Sequence, residues 1–327
     1  YMRWNYSSPQ ALGNIKAMQW FTDHGMEVMG ATAGQTRWVL MPQEESNMEN
    51  IRSFAVSSIE SSLNGLLLTL WDDDSPHFEL YMRGILAFAE YSWIGDKRNK
   101  EELKSAFRQR EYGYTLADNN EAFITELESP VAFWKNALLK KNQRNFLHKM
   151  TDPLEEAVID FPDKDNLGAW SLANEERLKT AAQILSQTDS IAQKIENARS
   201  IALRNDHNLQ VYGQVNKLAG YSPKMLLALR DYDMADSRED IIATASKLKE
   251  LESEFGSLRK ELEMVYSKTR ILTKPDNYIL DQDHHVHLAN QSINFDWQFY
   301  AEMMFFKKLN QELAKEIYME NADPLKK

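Results

Sequence analysis

The sequence predicts an α/β region followed by an all-helical region, so that the chain is mostly helical overall. Short apolar runs alternate with helical patterns before Trp93, and helical periodicity dominates after Ile94. The chain has 327 residues, 43% of them hydrophobic, which is enough for two domains with separate cores. We therefore expect one domain over residues 1–95 and a second over residues 96–327.

The N-terminal region alternates strands and helices. Gly25 lies where a helix commonly ends on a left-handed residue, and Gly34 closes the second predicted strand. Because a helix connects each strand to the next, the strands should be parallel. The predicted elements are strand Tyr1–Tyr6, helix Pro9–His24, strand Met26–Ala33, helix Asn47–Leu63, strand Leu66–Trp71 and a helix from Pro76 to Trp93.

The third predicted strand carries the most information about function. Its apolar run, Leu66–Leu70, indicates a strand buried on both faces, and Trp71 and Asp72–Asp74 follow at its C-terminal end. Ser75 can cap a helix whose first residue is Pro76. Delivery of aromatic and acidic side chains at such a strand end is typical of active sites in α/β barrels. The alternative is that the aspartates only solvate and cap the helix start.

The three βα units are fewer than a closed barrel needs. A complete (β/α)8 barrel takes about 250 residues, so residues 1–95 correspond to its C-terminal three units. Tyr1-Met2-Arg3-Trp4 does not resemble a natural start, and we expect the true N-terminus to lie upstream. An open piece of barrel exposes strand edges and apolar faces. We therefore expect a homo-oligomer or packing through the helical domain.

Long helical segments account for the rest of the chain. Apolar residues recur at intervals of three and four in the segment Ser237–Arg270, which predicts antiparallel helices packed as a bundle. The aromatic run from Trp297 to Phe306 should fill the core of that bundle. The other predicted helices are Lys100–Arg110, Glu121–Phe146, Asn174–Leu203, Asn208–Leu229 and Ser292–Tyr318.

Composition excludes several classes of function. The net charge is −11 and the acidic residues are spread along the chain, which argues against nucleic acid or an anionic membrane as a partner. No apolar run approaches the roughly 20 residues that span a bilayer, so we expect a soluble chain. The absence of cysteine excludes disulfides and thiolate chemistry and leaves the compartment undecided.

Two motifs carry a family resemblance. Gly65–Asp73, GLLLTLWDD, resembles the last barrel strand of the family 20 glycoside hydrolases, the β-N-acetylhexosaminidases, in which an apolar run precedes Leu-Trp-x-Glu. Met82–Trp93, MRGILAFAEYSW, is similar to the helix Pro-Arg-x-x-Ala-x-Ala-Glu-x-x-Trp that closes the barrel in that family. The motifs occur in the family's order and at nearly its spacing, and the resemblance covers residues 1–93.

The resemblance implies a function and a set of residues. The chain would be the C-terminal fragment of a glycosidase that hydrolyses terminal N-acetylhexosamine residues by a substrate-assisted retaining mechanism, without a cofactor. Trp71 would form part of the apolar wall around the sugar, and Asp73 would accept hydrogen bonds from its hydroxyls. Trp4 would be a second aromatic wall.

The sequence departs from the family pattern at three places. Asp73 replaces the family's Glu and is shorter by one methylene, and Ala31–Trp38 has no counterpart of the family's Tyr-x-Asp. No Asp-Glu dipeptide, the family's catalytic pair, occurs anywhere in the 327 residues. We therefore assign no catalytic residue and expect this chain alone to be inactive.

Two further interpretations follow from the residues. The segment Asp281–His287, DQDHHVH, is dense in potential metal ligands but lacks the spacing of zinc patterns, and we interpret it as a loop that caps the last helix, with no metal ligand assigned. The alternative to a glycosidase is a helical interaction or dimerisation module with a non-catalytic barrel remnant.

Overall fold

The computed structural model describes residues 1–6, 12–34, 40–42, 44–70, 78–113, 123–141, 144–276 and 295–322. The predicted site residues Trp71 and Asp73 lie outside these ranges, as does the segment Asp281–His287.

The described residues form strands and helices in the following chain order. Strands and helices alternate first, as β1 (Met2–Trp4), α1 (Leu12–Asp23), β2 (Met29–Ala33), α2 (Glu44–Glu60), β3 (Gly65–Thr69) and α3 (Met82–Ile94). Helices follow as α4 (Lys100–Glu111), α5 (Phe123–Glu126), α6 (Glu128–Trp134), α7 (Pro153–Glu156), α8 (Ala169–Ala173), α9 (Glu175–Ile201), α10 (Asp206–Met234), α11 (Arg238–Tyr266) and α12 (Tyr300–Ala322). Short 3-10 helices cover Phe78–Tyr81, Arg144–Lys149 and Phe295–Phe299.

The chain divides into two compact units. Unit 1 comprises Tyr1–Glu128 with Gln193–Gly213, and unit 2 comprises Ser129–Ala192 with Gln214–Lys327. Each unit therefore takes residues from both α9 and α10. The predicted division near residue 95 stays a prediction.

Unit 1 contains a parallel sheet of the order β1-β2-β3. Trp4 pairs with Ala31, and Ala33 pairs with Thr69. Because parallel crossovers are right-handed and the strands follow one another in order, α1 and α2 lie on the same face of the sheet. The prediction of parallel βα units is confirmed for the described strands. A barrel is not shown by these strands alone.

One face of the sheet is covered by helices. Leu66 and Leu68 pack against a core cluster that takes residues from α2, α3 and α4. A Cβ atom on Gly30 would lie 2.6 Å from Phe54 Cε1 and 2.8 Å from Ser58 Oγ, so α2 packs directly on β2. Glycine is required at this position because any side chain would displace the helix.

The opposite face carries half-exposed apolar side chains. Strand alternation and register place Met2, Trp4, Met29 and Leu67 on this face. Their exposed fractions are 47%, 47%, 38% and 39%. The prediction that the third strand is buried on both faces is therefore wrong for the described residues. An apolar run shows that a strand can be buried, but not that a second layer covers it.

Unit 2 is helical and has an aromatic core. The ring of Phe255 lies 5.2 Å from that of Tyr221, 5.7 Å from that of Phe299 and 5.3 Å from that of Phe306. Phe299 and Phe305 are fully buried. The prediction that the aromatic run fills a helical core is confirmed for these three phenylalanines of the run.

The prediction of one continuous helix over Glu121–Phe146 is wrong. Helix α5 ends at Glu126 and α6 begins at Glu128. Pro130 has no N–H to donate to the carbonyl of Glu126, so the hydrogen-bond pattern of α5 cannot continue. Further along the chain, Leu139 pairs with Val158 in an isolated antiparallel bridge, so the region beyond residue 96 is not wholly helical.

Candidate functional site

The C-terminal ends of the three strands meet at one edge of the sheet. The backbone N–H of Asn5 donates to Ala31 O at 3.0 Å, and that of Gly34 donates to Thr69 O at 2.8 Å. A Cβ atom on Gly34 would lie 2.5 Å from Leu70 Cδ2. We call this region, formed by Trp4–Tyr6, Gly34, Leu70 and the helical residues that contact them, the C-terminal edge. Trp4 and Gly34 lie at this common edge, as the sequence predicts.

Aromatic rings line the C-terminal edge. Trp4 is 47% exposed, and its ring packs edge-on against Tyr6 at 6.1 Å. Phe78 is 46% exposed and stacks at 6.0 Å on Tyr81, which is buried. The Tyr81 ring in turn lies 3.8 Å from the position of a Cβ atom on Gly34. The edge therefore presents two aromatic faces to solvent.

Two amide side chains of α2 hold the loops of the edge. Asn47 Nδ2 donates to Gly34 O at 2.9 Å, and Asn50 Nδ2 donates to Tyr6 O at 3.3 Å. Asn47 is 1% exposed, and its buried Oδ1 atom has no hydrogen-bond partner among the described residues. An unsatisfied amide oxygen of this kind costs about 1–3 kcal/mol.

Sequence reasoning missed both asparagines. Their spacing of three residues places them on one side of the first turns of α2, where side chains reach the ends of the preceding strands. That spacing was the available signal, but it is also common on solvated helix faces.

The start of α3 packs against the same edge. A Cβ atom on Gly84 would lie 3.5 Å from Gly34 O, so the first turn of α3 abuts the end of β2. Arg83 is 3% exposed and its guanidinium lies 5.9 Å from the Phe107 ring. Glu79 is half-buried in the short helix that precedes α3.

An ion pair holds α2 to the end of α3. Arg52 donates to both carboxylate oxygens of Glu49, at 2.6 and 3.1 Å, and to Asp96 Oδ1 at 2.5 Å. The hydrogen bonds from Arg52 hold the pKa of the Glu49 carboxyl below its usual value. Burial raises the pKa of the nearby Tyr91 hydroxyl to about 12. These hydrogen bonds hold α2 against the end of α3.

The described residues contain no group of three or more His, Cys, Asp or Glu side chains that could hold a metal ion. Among the helices of the described ranges, none combines the length and the apolar character that crossing a bilayer requires.

Comparison with known proteins gives a distant likeness. No family model matches the chain, and no curated protein matches it. Among solved structures, the chain is similar to one described as a GH138 enzyme targeting pectin rhamnogalacturonan II, with a TM-score of 0.45 and 11% identity. The match covers 96% of this chain and 52% of that one, so this chain spans about half the length of the solved structure.

The predicted membership of glycoside hydrolase family 20 is wrong. No family model matches the chain and no curated protein matches it, so neither comparison supports the resemblance. The physical reason lies in what the motif residues do: Leu66 and Leu68 pack against helices, and Ala87 and Tyr91 are fully buried. Any βα unit needs this apolar spacing, so the spacing does not identify a family. The comparison with solved structures shows only a weak similarity to a glycoside hydrolase.

Proposed function

We propose that the C-terminal edge of unit 1 binds a carbohydrate. The observation that carries this proposal is the half-exposed Trp4 ring at the end of a parallel strand. A pyranose has an apolar C–H face that stacks on an aromatic ring, and a rim of hydroxyls that needs hydrogen-bonding partners. The edge supplies a second exposed ring, Phe78, and the half-buried amide of Asn50.

We propose binding for this edge, because its described residues supply stacking and hydrogen-bonding groups. The half-buried Asn50 side chain can accept hydrogen bonds from sugar hydroxyls through its Oδ1 atom. Trp71 and Asp73 would extend the same surface from the end of β3. That placement is a prediction, because both residues lie outside the described ranges.

The test compares Trp4→Ala with a matched exposed tryptophan. Trp20 is 51% exposed on α1, where its ring stacks on His24 at 4.1 Å, so Trp20→Ala removes a similar area elsewhere in unit 1. Titration calorimetry would use a neutral hexose, a 6-deoxyhexose, a hexuronic acid and an N-acetylhexosamine. We expect Trp4→Ala to weaken the best of these about three- to tenfold, which corresponds to the loss of one aromatic stacking contact.

The two variants should differ in sugar affinity. Trp20→Ala should leave sugar affinity unchanged. Equal losses in the two variants, or no binding of any sugar by the parent chain, would contradict a carbohydrate site at this edge. The alternative, a helical interaction module, stays a prediction; it requires a dimer in light scattering that Trp4→Ala does not alter.

A further inference from the structure

Unit 2 exposes an apolar surface where α8 meets the end of α10. Leu167 is 52% exposed, Leu172 76% and Met234 55%. The position of a Cβ atom on Gly168 lies 3.3 Å from Met234 Sδ, and the N–H of Leu172 donates to Gly168 O at 3.0 Å. All three apolar residues therefore adjoin Gly168. We call the surface formed by Leu167, Leu172 and Met234 the α8–α10 surface.

The short helix α8 directs apolar side chains to solvent. Its sequence is AWSLA, in which Trp170 is buried, whereas Ala169 and Ala173 are exposed together with Leu172. A helix at the surface of a globular protein usually has polar residues on its solvent side. An apolar surface that a fold leaves in water is a candidate site of interaction with another protein.

Two hydrogen bonds hold α8 and the loop before it against α10. The N–H of Ser171 donates to Asp233 Oδ2 at 2.8 Å, and Lys164 Nζ donates to Tyr232 O at 2.8 Å. The backbone that carries the exposed leucines is thus fixed before any partner arrives. A fixed surface loses little conformational entropy when it binds, which favours association.

Acidic side chains border the α8–α10 surface. Each of its three apolar residues has an exposed acidic residue within three positions in the sequence: Asp165, Glu175 and Asp236. The segments 163–176 and 230–240 together contain nine Asp and Glu residues against three Lys and Arg residues. Of those three basic side chains, Lys164 donates to backbone carbonyls and Arg230 pairs with Asp231 at 2.7 Å. The border is therefore strongly acidic.

The acidic border favours one class of occupant. A second copy of the chain would bring the same acidic border to a symmetric contact, where the like charges would repel each other. An anionic lipid surface would be repelled for the same reason. A partner with lysine or arginine around an apolar face has the complementary charge.

The elements of unit 2 favour a helical partner over an extended one. An extended peptide binds by adding a strand to a sheet edge, and the described part of unit 2 has helices and the isolated bridge Leu139–Val158 instead of a sheet. A helix needs only apolar side chains to pack on, and the flexible Met234 side chain can adapt to them. We propose that the α8–α10 surface docks a cationic amphipathic helix of a partner protein.

Two synthetic amphipathic helices of about four turns test this proposal on the full chain. Both have leucine on one face, and the other face is lysine in one peptide and glutamate in the other. Calorimetry should detect binding of the lysine peptide and none of the glutamate peptide. Leu172→Ser should weaken the lysine peptide about tenfold, which corresponds to the loss of one buried leucine contact. Leu167→Ser should weaken it in the same direction.

Ile271 provides the matched control for an exposed apolar side chain. It is 90% exposed in unit 2 and lies beyond the far end of α11, whose 29 residues span about 43 Å. Helix α11 begins at Arg238, close to the end of α10, so Ile271 is distant from the α8–α10 surface. Ile271→Ser should leave the affinity unchanged. Equal losses in Leu172→Ser and Ile271→Ser, or no binding of the lysine peptide by the parent chain, would overturn the proposal.

A second pair of variants separates the acidic border from the net charge of the chain. Asp236→Asn removes an exposed carboxylate beside the surface, whereas Glu254→Gln removes one near the middle of α11. Only Asp236→Asn should weaken the lysine peptide, about two- to threefold, and reduce the dependence of its affinity on salt. Equal effects would assign binding to the overall charge and refute the site. A dimer in light scattering that Leu172→Ser dissociates would assign the surface to a second copy and refute it as well.

Discussion

In unit 1 the rings of Trp4 and Phe78 are half-exposed at a sheet edge, whereas in unit 2 the rings of Tyr221, Phe255 and Phe299 are buried in the core. Among the described residues, the exposed large aromatic side chains all belong to unit 1: Tyr1, Trp4, Trp20, Phe78 and Trp93. The exposed large hydrophobic side chains in the described part of unit 2 are leucine, isoleucine and methionine. An aromatic ring in water has a cost in folding, so surfaces rich in such rings are candidates for ligand contact.

One ion pair from each unit shows how burial changes an interaction of the same length. In unit 2, Arg144 lies 2.6 Å from Glu302, and their side chains are 11% and 1% exposed. In unit 1, Arg52 lies 2.6 Å from Glu49, with side chains 23% and 45% exposed. Equal N···O distances therefore do not imply equal interaction energies. When its partner is removed, an exposed charge is solvated by water, whereas a buried charge is left without compensation.

The largest expected effect comes from removing the buried guanidinium. Arg144 stacks at 3.6 Å on the Trp134 ring and provides the charge that faces Glu302, whose Oε1 atom has no hydrogen-bond partner within the described ranges. Arg144→Met should lower the free energy of unfolding by about 3–5 kcal/mol, because it leaves a buried carboxylate uncompensated. Urea unfolding measures this loss.

A double variant separates the charge from the packing. Adding Glu302→Gln to Arg144→Met removes the uncompensated charge and should restore a large part of the lost stability. A loss below about 1 kcal/mol in the single variant would make this pair equivalent to a surface ion pair and remove the contrast between the units.

An intermediate effect is expected from two buried tyrosines. The hydroxyl of Tyr221 in unit 2 donates to the Leu251 carbonyl, whereas that of Tyr91 in unit 1 is buried without a partner among the residues that the structure describes. Tyr221→Phe should lower the free energy of unfolding by about 1 kcal/mol, the net worth of a hydrogen bond. Tyr91→Phe should leave stability unchanged or raise it, because it removes an unsatisfied polar group. Thermal unfolding of the two variants under identical conditions checks the difference, and equal losses would contradict it.

The smallest expected effect is on the free energy of unfolding at low pH. Because the folded pKa of Glu49 lies below its ordinary value of 4.5, the native state favours the ionised carboxylate. The stabilisation is therefore present above that value and is lost as the pH falls through the folded pKa. Both side chains are partly exposed, so less than about 1 kcal/mol should be involved. Glu49→Gln should flatten the acid limb of a plot of unfolding free energy against pH.

Arg52→Met provides the check on that interpretation. If the hydrogen bonds from Arg52 lower the pKa, this variant should flatten the same limb, and the double variant should add nothing further. An acid limb that persists in both single variants would assign the pH dependence to other carboxyl groups.

Local patterns were enough to predict much of the fold. The apolar runs predicted parallel strands, and the predicted start of α11 at Ser237 is confirmed, since the Ser237 hydroxyl accepts a hydrogen bond from the N–H of Asp240 at 3.1 Å. Strand alternation and helix capping depend on residues close in sequence. Such features can be predicted without knowledge of the tertiary contacts.

Features that depend on distant residues could not be predicted in this way. The exposure of Leu67 depends on whether another layer covers the sheet, and the pairing of Asn47 with Gly34 joins a helix to a loop. The part of the candidate site that was predicted, Trp4, comes from a strand end. The family assignment was wrong because any βα unit needs an apolar strand and a helix with an apolar face, so motifs of this kind do not identify a family.

The face of the sheet that carries Met2, Trp4, Met29 and Leu67 can be probed by methionine oxidation. Met2 and Met29 are half-exposed there, whereas Met18 and Met225 are fully buried. Mild peroxide converts accessible thioethers to sulfoxides and spares those inside a core. Mass spectrometry of Met2 and Met29 therefore measures the accessibility of this face. If another surface covers the face in a larger assembly, both methionines should be protected from oxidation, and no substitution is needed to detect it.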